Sequence, residues 1–277
     1  MRNLFKHLVA AAVVGVLSAN VFAATTIVYS NDPAPGDDVT YSGGHPFSPV
    51  PVRTSGWSYR NVWHNGRVGI RTDLPRSGNG SVWFKGTQGP SHPSSKADIE
   101  YWPASPLGTL NDLNLLSYEW YRKSGTYTAA SHLHPVIRLV VGPALGPAGY
   151  LVFERAYNPS VSPAPTDSWQ FDSIGDTTVL WATSTLRTLL GITEPQSYKT
   201  LAQWKGLIGT FNVYAISAGI GSGWGTFEGA VDNISYRFGS GPLVTTNFEV
   251  VPEPTTMALF GLGLLGAAGG LLRRKSA

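Results

Sequence analysis

Apolar positions along this chain alternate with polar ones more often than they recur at helical spacing. Leu116–Arg122, Pro135–Val141 and Gly149–Arg155 show the pattern most clearly. Each run has the length of a strand, and its alternation gives one face to a core and one to solvent, as antiparallel sheets require. Further β-prone runs lie at 25–29, 57–70, 81–85, 169–171, 210–219 and 229–238. Asn65-Gly66 and Asn79-Gly80 tolerate positive φ and are read as hairpin signals. Helical spacing is confined to 184–208, where Leu186, Leu189 and Leu190 share one face and Tyr198, Leu201, Trp204 and Leu207 another, with Pro195 dividing two short helices. About ten short strands with frequent turns predict an all-β fold, a two-sheet jelly-roll or concanavalin-like sandwich.

Two longer apolar runs fall outside this pattern, one at each end. The first follows Arg2 and Lys6 and leads to Val21-Phe22-Ala23, small or permissive residues of the kind a signal peptidase accepts. Residues 1–23 are therefore read as a signal peptide cut after Ala23. The second, 255–272, has no charge and spans about 27 Å as a helix, close to a bilayer's hydrocarbon core. A basic tail of Arg273, Arg274 and Lys275 follows it and favours the cytoplasm. With both positive flanks inside, everything between the two runs is exported. The predicted organisation is a sandwich at 24–238, a linker at 239–251 and a terminal region at 252–277 with a single transmembrane helix.

Pro252-Glu253-Pro254, then the apolar run, then the basic end, together resemble the sorting region of the PEP-CTERM family of bacterial exported proteins. The physical reading agrees, because the two prolines keep the strip around Glu253 extended and stop the helix from continuing outward. The resemblance implies recognition by exosortase, a membrane-embedded processing enzyme, and release or transfer to the surface of a Gram-negative cell that makes exopolysaccharide. It implies a route and no particular activity, since the cargo domains of that family vary.

Charge changes meaning once the ends are set aside. Residues 24–272 hold 15 basic and 17 acidic groups, so the exported part is net −2 and nucleic-acid binding is excluded. With no cysteine, disulfides and thiol chemistry are excluded too, and stability must come from a core.

Candidate chemistry is sparse. Glu119, Glu154, Glu228 and Asp232 lie in or beside predicted strands, but the Glu-x-Asp-x-x-Glu pattern of concanavalin-like glycanases is missing, so no catalytic residue is assigned. His132-x-His134 has metal-ligand spacing on a strand, yet Ser131 and Pro135 read as a turn and a solvated loop pair. Calcium is a further candidate cofactor: Asp32, Asp37 and Asp38 in an early loop would meet Asp232, although turn-forming Asp explains them better and no EF-hand pattern is present. For ligand recognition the first choice is Trp224, set among glycines that give its indole little cover, and the second is Trp169 beside a Pro-rich loop. The motif Phe227-x-Gly229-x-Val231-Asp232-Asn233-Ile234 resembles the final strand of many carbohydrate-binding modules. The expectation is a non-enzymatic protein of the cell surface or biofilm matrix that binds exopolysaccharide. The alternatives are a self-associating matrix protein and a polysaccharide-modifying enzyme.

Overall fold

Strand-length alternation closes into two sheets in the computed structural model, which describes residues 23–44, 48–87, 95–125, 130–158 and 163–253. The chain begins with strands β1 (Ala24–Pro33), β2 (Val39–Tyr41), β3 (Val50–Pro51), β4 (Trp57–Trp63), β5 (Gly66–Arg71) and β6 (Ser81–Gly86). It continues through β7 (Lys96–Tyr101), β8 (Gly108–Thr109), β9 (Leu113–Arg122), β10 (Val136–Gly142), β11 (Gly149–Phe153), β12 (Trp169–Ile174) and β13 (Val179–Ala182). Helix α1 (Ser184–Leu190), β14 (Tyr198–Thr200), helix α2 (Leu201–Ile208), β15 (Asn212–Ile220), β16 (Phe227–Phe238) and β17 (Val244–Val251) complete it.

The first sheet has β16 at its centre. On one side β16 pairs with β9, and β12 lies beyond. On its other side it pairs first with β6, through Phe227–Val231, and then with β17, through Ile234–Tyr236. The change of partner coincides with a bulge at Asn233, whose φ of 48° breaks the register with β9 between Asp232 and Ser235. Beyond β6 come β5 and β2, and beyond β17 comes β1 in parallel. The second sheet runs β14-β13-β11-β10-β15-β7-β4-β3, with β8 against the start of β15. Between the sheets lie Tyr118, Trp120, Phe84 and Phe248 from the first and Tyr59, Ile99, Leu139 and Ile216 from the second, all fully buried.

Several expectations change here. The linker expected at 239–251 is largely strand: β17 buries Phe248 and Val250, and β1 pairs with it from Ala24 to Pro33. Its apolar residues alternate over too short a stretch to stand out, and they gain a core only because β1 and β16 flank them. The segment resembling a final strand is thus β16, the last but one. Asn65-Gly66 does not make a hairpin; with His64 at φ 48° and Asn65 at 61° it carries the chain from β4 in one sheet to β5 in the other. Glycine is required at 66, where a Cβ would sit 2.1 Å from the Lys96 carbonyl oxygen.

Asn79-Gly80 ends the longer loop between β5 and β6, where the Asn79 amide acts as a pairing partner for β17: it donates to the Val250 carbonyl at 2.9 Å and accepts from the Val250 N–H at 2.9 Å. Of the helical face, Leu186, Leu201 and Trp204 are buried, but Leu189 and Leu207 are exposed and Tyr198 belongs to β14. Among the described residues no helix is long and apolar enough to cross a membrane, and the apolar run at 255–272 lies outside them.

Candidate functional site

Polar chemistry gathers on the outer face of the second sheet. On β7 the alternation turns Ala97 and Ile99 to the core and sends Lys96, Asp98 and Glu100 outward. Across β15 the residues opposite are small, Gly219 facing Asp98 and Ser217 facing Glu100. A Cβ at Gly219 would fall 2.2 Å from Asp98 Oδ1, so glycine is what lets this carboxylate lie over the neighbouring strand. Arg138 reaches it from β10, donating to Asp98 Oδ1 at 2.7 Å.

The network is dense. Lys96 Nζ lies 3.2 Å from Asp98 Oδ2, and Asn61 Nδ2 donates to Asp98 at 3.0 Å and to Glu100 at 3.1 Å. Glu100 also accepts from the Tyr150 hydroxyl at 3.0 Å and from Trp102 Nε1 at 2.6 Å. Burial first, then the neighbouring Asp98 carboxylate, raise the Glu100 carboxyl above its ordinary range. For Arg138 burial opposes the charge, but Asp98 more than offsets it and the guanidinium is held more firmly protonated. Burial and then Glu100 push the Tyr150 phenol well above its usual value.

Beside this network the sheet carries a cavity of about 250 Å³. Trp63, Tyr150, Trp181 and Trp224 border it, and Lys96, Arg138 and Glu154 supply its charged groups. Lys96 Nζ sits 5.2 Å from the centre of the Trp63 ring. Glu154 accepts from Trp181 Nε1 at 3.3 Å; burial raises its carboxyl, with Arg138 opposing. Trp224 packs edge-on against Phe227 at 5.2 Å and is 9% exposed, so part of the indole is core and part lines the cavity.

Trp169 stands elsewhere. It opens β12 on the outer face of the first sheet, 5.7 Å from the Tyr121 ring and under the Arg76 guanidinium at 5.8 Å. The two tryptophans singled out by sequence therefore occupy opposite faces. Glu119, close by, accepts from Arg76 Nε and Nη2 at 2.7 and 3.0 Å. Glu228 accepts from Lys123 Nζ at 2.9 Å and from Trp83 Nε1 at 3.2 Å.

The early aspartates do not gather around Asp232. Asp37 is buried and accepts from the Tyr59 hydroxyl at 2.6 Å and from the Asn31 and Asp32 N–H groups at 3.0 and 2.9 Å. Asp38 pairs with Arg67 and Arg71. Asp232 accepts from the Phe248 and Ser77 N–H groups at 3.0 and 3.3 Å, and burial, its largest influence, raises its carboxyl to about 7. Among the described residues no three His, Asp or Glu side chains are placed to hold a metal ion.

His134 is not part of a solvated loop pair: it is buried against Trp120 at 4.5 Å, accepts from the Arg155 N–H at 3.1 Å and donates to the Pro135 carbonyl at 2.8 Å. Burial holds its pKa down to about 3. Of the processing residues, Ala23 is exposed just before β1, and Pro252 and Glu253 are exposed directly after β17. Pro254, Arg273, Arg274 and Lys275 lie outside the described residues.

Asp98 and Glu100 escaped the sequence reading, although Lys96-Ala97-Asp98-Ile99-Glu100-Tyr101 contained a signal: three charges at period two inside an apolar strand. Arg138, Tyr150 and Trp181 carried no such mark, because they come together only through cross-strand register.

Residues 250–275 match the PEP-CTERM protein-sorting motif. No curated protein matches the chain. Among solved structures the chain is similar to a family 11 carbohydrate-binding module from Clostridium thermocellum in complex with a beta-1,3-1,4-mixed-linked tetrasaccharide, at 10% identity over 73% of this chain and 99% of that one, TM-score 0.39. It is also similar to a non-crystalline cellulose specific carbohydrate-binding module, at 11% identity over 73% and 98% of the two chains, TM-score 0.34. An ENZbleach xylanase mutant is similar at 12% identity over 79% and 97%, TM-score 0.38. At this distance the likenesses carry no argument about ligand or activity.

Proposed function

From the premise that this chain carries a PEP-CTERM sorting motif, which marks it for export and transient membrane anchoring, we propose that it is a non-enzymatic, polysaccharide-binding protein of the cell surface or matrix. Signal peptidase removes residues 1–23, and exosortase acts near Pro252-Glu253-Pro254. The observation that carries the binding reading is the cavity on the second sheet. Its indoles offer flat apolar faces for sugar C–H groups, and Lys96, Arg138, Tyr150 and Glu154 offer donors and acceptors for hydroxyls. This is the mixed lining a sugar chain needs, since each ring presents both kinds of surface.

Affinity electrophoresis of the full chain in detergent, through gels containing the producing organism's exopolysaccharide, tests this. Retardation that Trp181→Ala reduces at least tenfold supports the groove. Equal mobility of both proteins with and without polysaccharide removes the reading.

A second reading has its own observation. Burial raises both Glu100 and Glu154, as a glycosidic general acid requires. Yet Glu154 is the one carboxylate bordering the cavity, and Glu100 has both oxygens engaged by donors. New reducing or unsaturated ends after incubation with the polysaccharide would favour catalysis. The self-association alternative draws on Phe171, 62% exposed on the edge strand β12, and predicts oligomers that Phe171→Asp abolishes in sedimentation.

A further inference from the structure

The cavity over Arg138 does not end at Trp181. A second cavity of about 220 Å³ lies beyond it, bordered by Trp181, Tyr157, Tyr198, Arg187 and Glu194. Trp181 is common to both, so the two hollows adjoin at this residue. Register explains the alignment: Arg138 faces Val152, Val152 faces Trp181, and Trp181 faces Tyr198. These four residues form one straight row across β10, β11, β13 and β14. At the usual interstrand spacing the row is about 14 Å long, enough for roughly three sugar rings.

The second cavity differs from the first in one chemical respect. Arg187, on α1, borders it, and its buried Nε–H has no hydrogen-bond acceptor among the described residues. Its Nη1 is 3.6 Å from Glu194, whose side chain is 72% exposed. That contact is long and leaves the accessible Nη end of the guanidinium, whose side chain is 25% exposed, only weakly paired. A buried donor without an acceptor is costly, and a guanidinium edge is shaped to take a carboxylate through two parallel hydrogen bonds.

We infer that the two cavities form one groove for a linear acidic glycan, with neutral ring faces stacked along Trp181 and a uronate carboxylate received by Arg187 beyond it. This rests on the glycan-binding reading above and adds the substrate class. The uronate oxygens take the place in the Arg187 shell that Glu194 fills weakly. Tyr157 and Tyr198, whose rings lie 4.7 Å apart, form the wall against which that sugar sits.

Calorimetric titration of the full chain in detergent separates the two ideas. The probes are six-sugar fragments of β-linked glucan, mannan and galactan, each neutral and oxidised at C6 to the uronate. The expected result is that for at least one sugar series the oxidised fragment binds roughly tenfold or more tighter than its neutral parent, the range of a hydrogen bond to a charged group. Arg187→Gln brings that ratio close to one, and Arg187→Lys, which keeps the charge without the fork, restores part of it. Trp181→Ala weakens both members of the pair.

Equal affinity for neutral and oxidised fragments, with binding still sensitive to Trp181→Ala, overturns the uronate site and leaves the groove. A preference that survives in Arg187→Gln overturns it as well, because the acid is then read elsewhere. Absence of binding by every fragment removes the glycan reading and this inference with it.

Discussion

Two buried titratable residues respond to pH in opposite senses. His134 has a folded pKa of about 3, below its ordinary 6.5, so the unfolded chain takes up a proton first as pH falls. The stability it supports is complete above pH ~6.5 and is lost toward pH 3, at about 1.4 kcal/mol per pH unit. Asp232 has a folded pKa raised to about 7 against an ordinary 3.8. Its contribution is fully present below pH ~4 and declines as pH rises to 7, because the unfolded state then releases the proton more readily. Thermal melts from pH 3 to 8 are expected to show both limbs, with His134→Gln flattening the acid side and Asp232→Asn the neutral side. Asp98 is a different case, since its charge is buried with a partner. Asp98→Asn leaves Arg138 unmatched and is expected to cost about 3–5 kcal/mol in urea unfolding, the range for a broken buried pair. A loss below 1 kcal/mol would show that Arg138 finds solvent.

Among the elements, β17 is the one whose importance the sequence understated. It joins β1 to β16, and contacts outside the ladder hold it, among them Asn79 on Val250, the Glu249 carboxylate accepting from the Asn79 and Gly80 N–H groups, the Ser30 hydroxyl accepting from the Val251 N–H at 3.0 Å, and Asp232 on the Phe248 N–H. Asn79→Ala removes two hydrogen bonds to one buried residue and is expected to lower stability by about 2 kcal/mol. Deleting 244–251 is expected to abolish cooperative unfolding followed by tryptophan fluorescence, because β1 loses its only strand neighbour among the described residues. A deletion variant that still melts cooperatively would return this segment to the status of a linker. The helices were legible as a region and as a pair. Their faces were less so, because Leu189 and Leu207 fit a helical period that the sandwich has no surface to cover.

At the scale of the whole molecule Pro252 and Glu253 are exposed directly after the last strand, so the sandwich and the proposed site of processing are covalent neighbours. The cavity lies on the second sheet and β17 in the first, so the proposed ligand site and the strand that leads to Pro252 belong to different layers. Trp224→Ala is expected to act at two levels, because its ring is shared between core and cavity. It should cost about 3 kcal/mol or more of stability, as large aromatic truncations do, in addition to weakening polysaccharide retention. Trp181→Ala is expected to spare more stability, since its indole is only half-buried. Comparing urea midpoints with gel retardation for the two variants separates packing from recognition.

The sequence alone determined the sorting motif and the architecture. A sorting tag is a linear signal of prolines, apolar length and terminal charge, and a sandwich follows from local alternation and turns; both are properties of neighbours along the chain. Tertiary structure decided the site. Lys96, Asp98 and Glu100 are within five residues of one another, but Arg138, Tyr150, Trp181 and Arg187 join them only because antiparallel register sets five strands and a helix side by side. It also decided that Trp169 and Trp224 face opposite ways and that 244–251 is core. Burial, pairing and the reach of a side chain across a strand are relations between distant residues, and a linear pattern does not encode which distant residues meet.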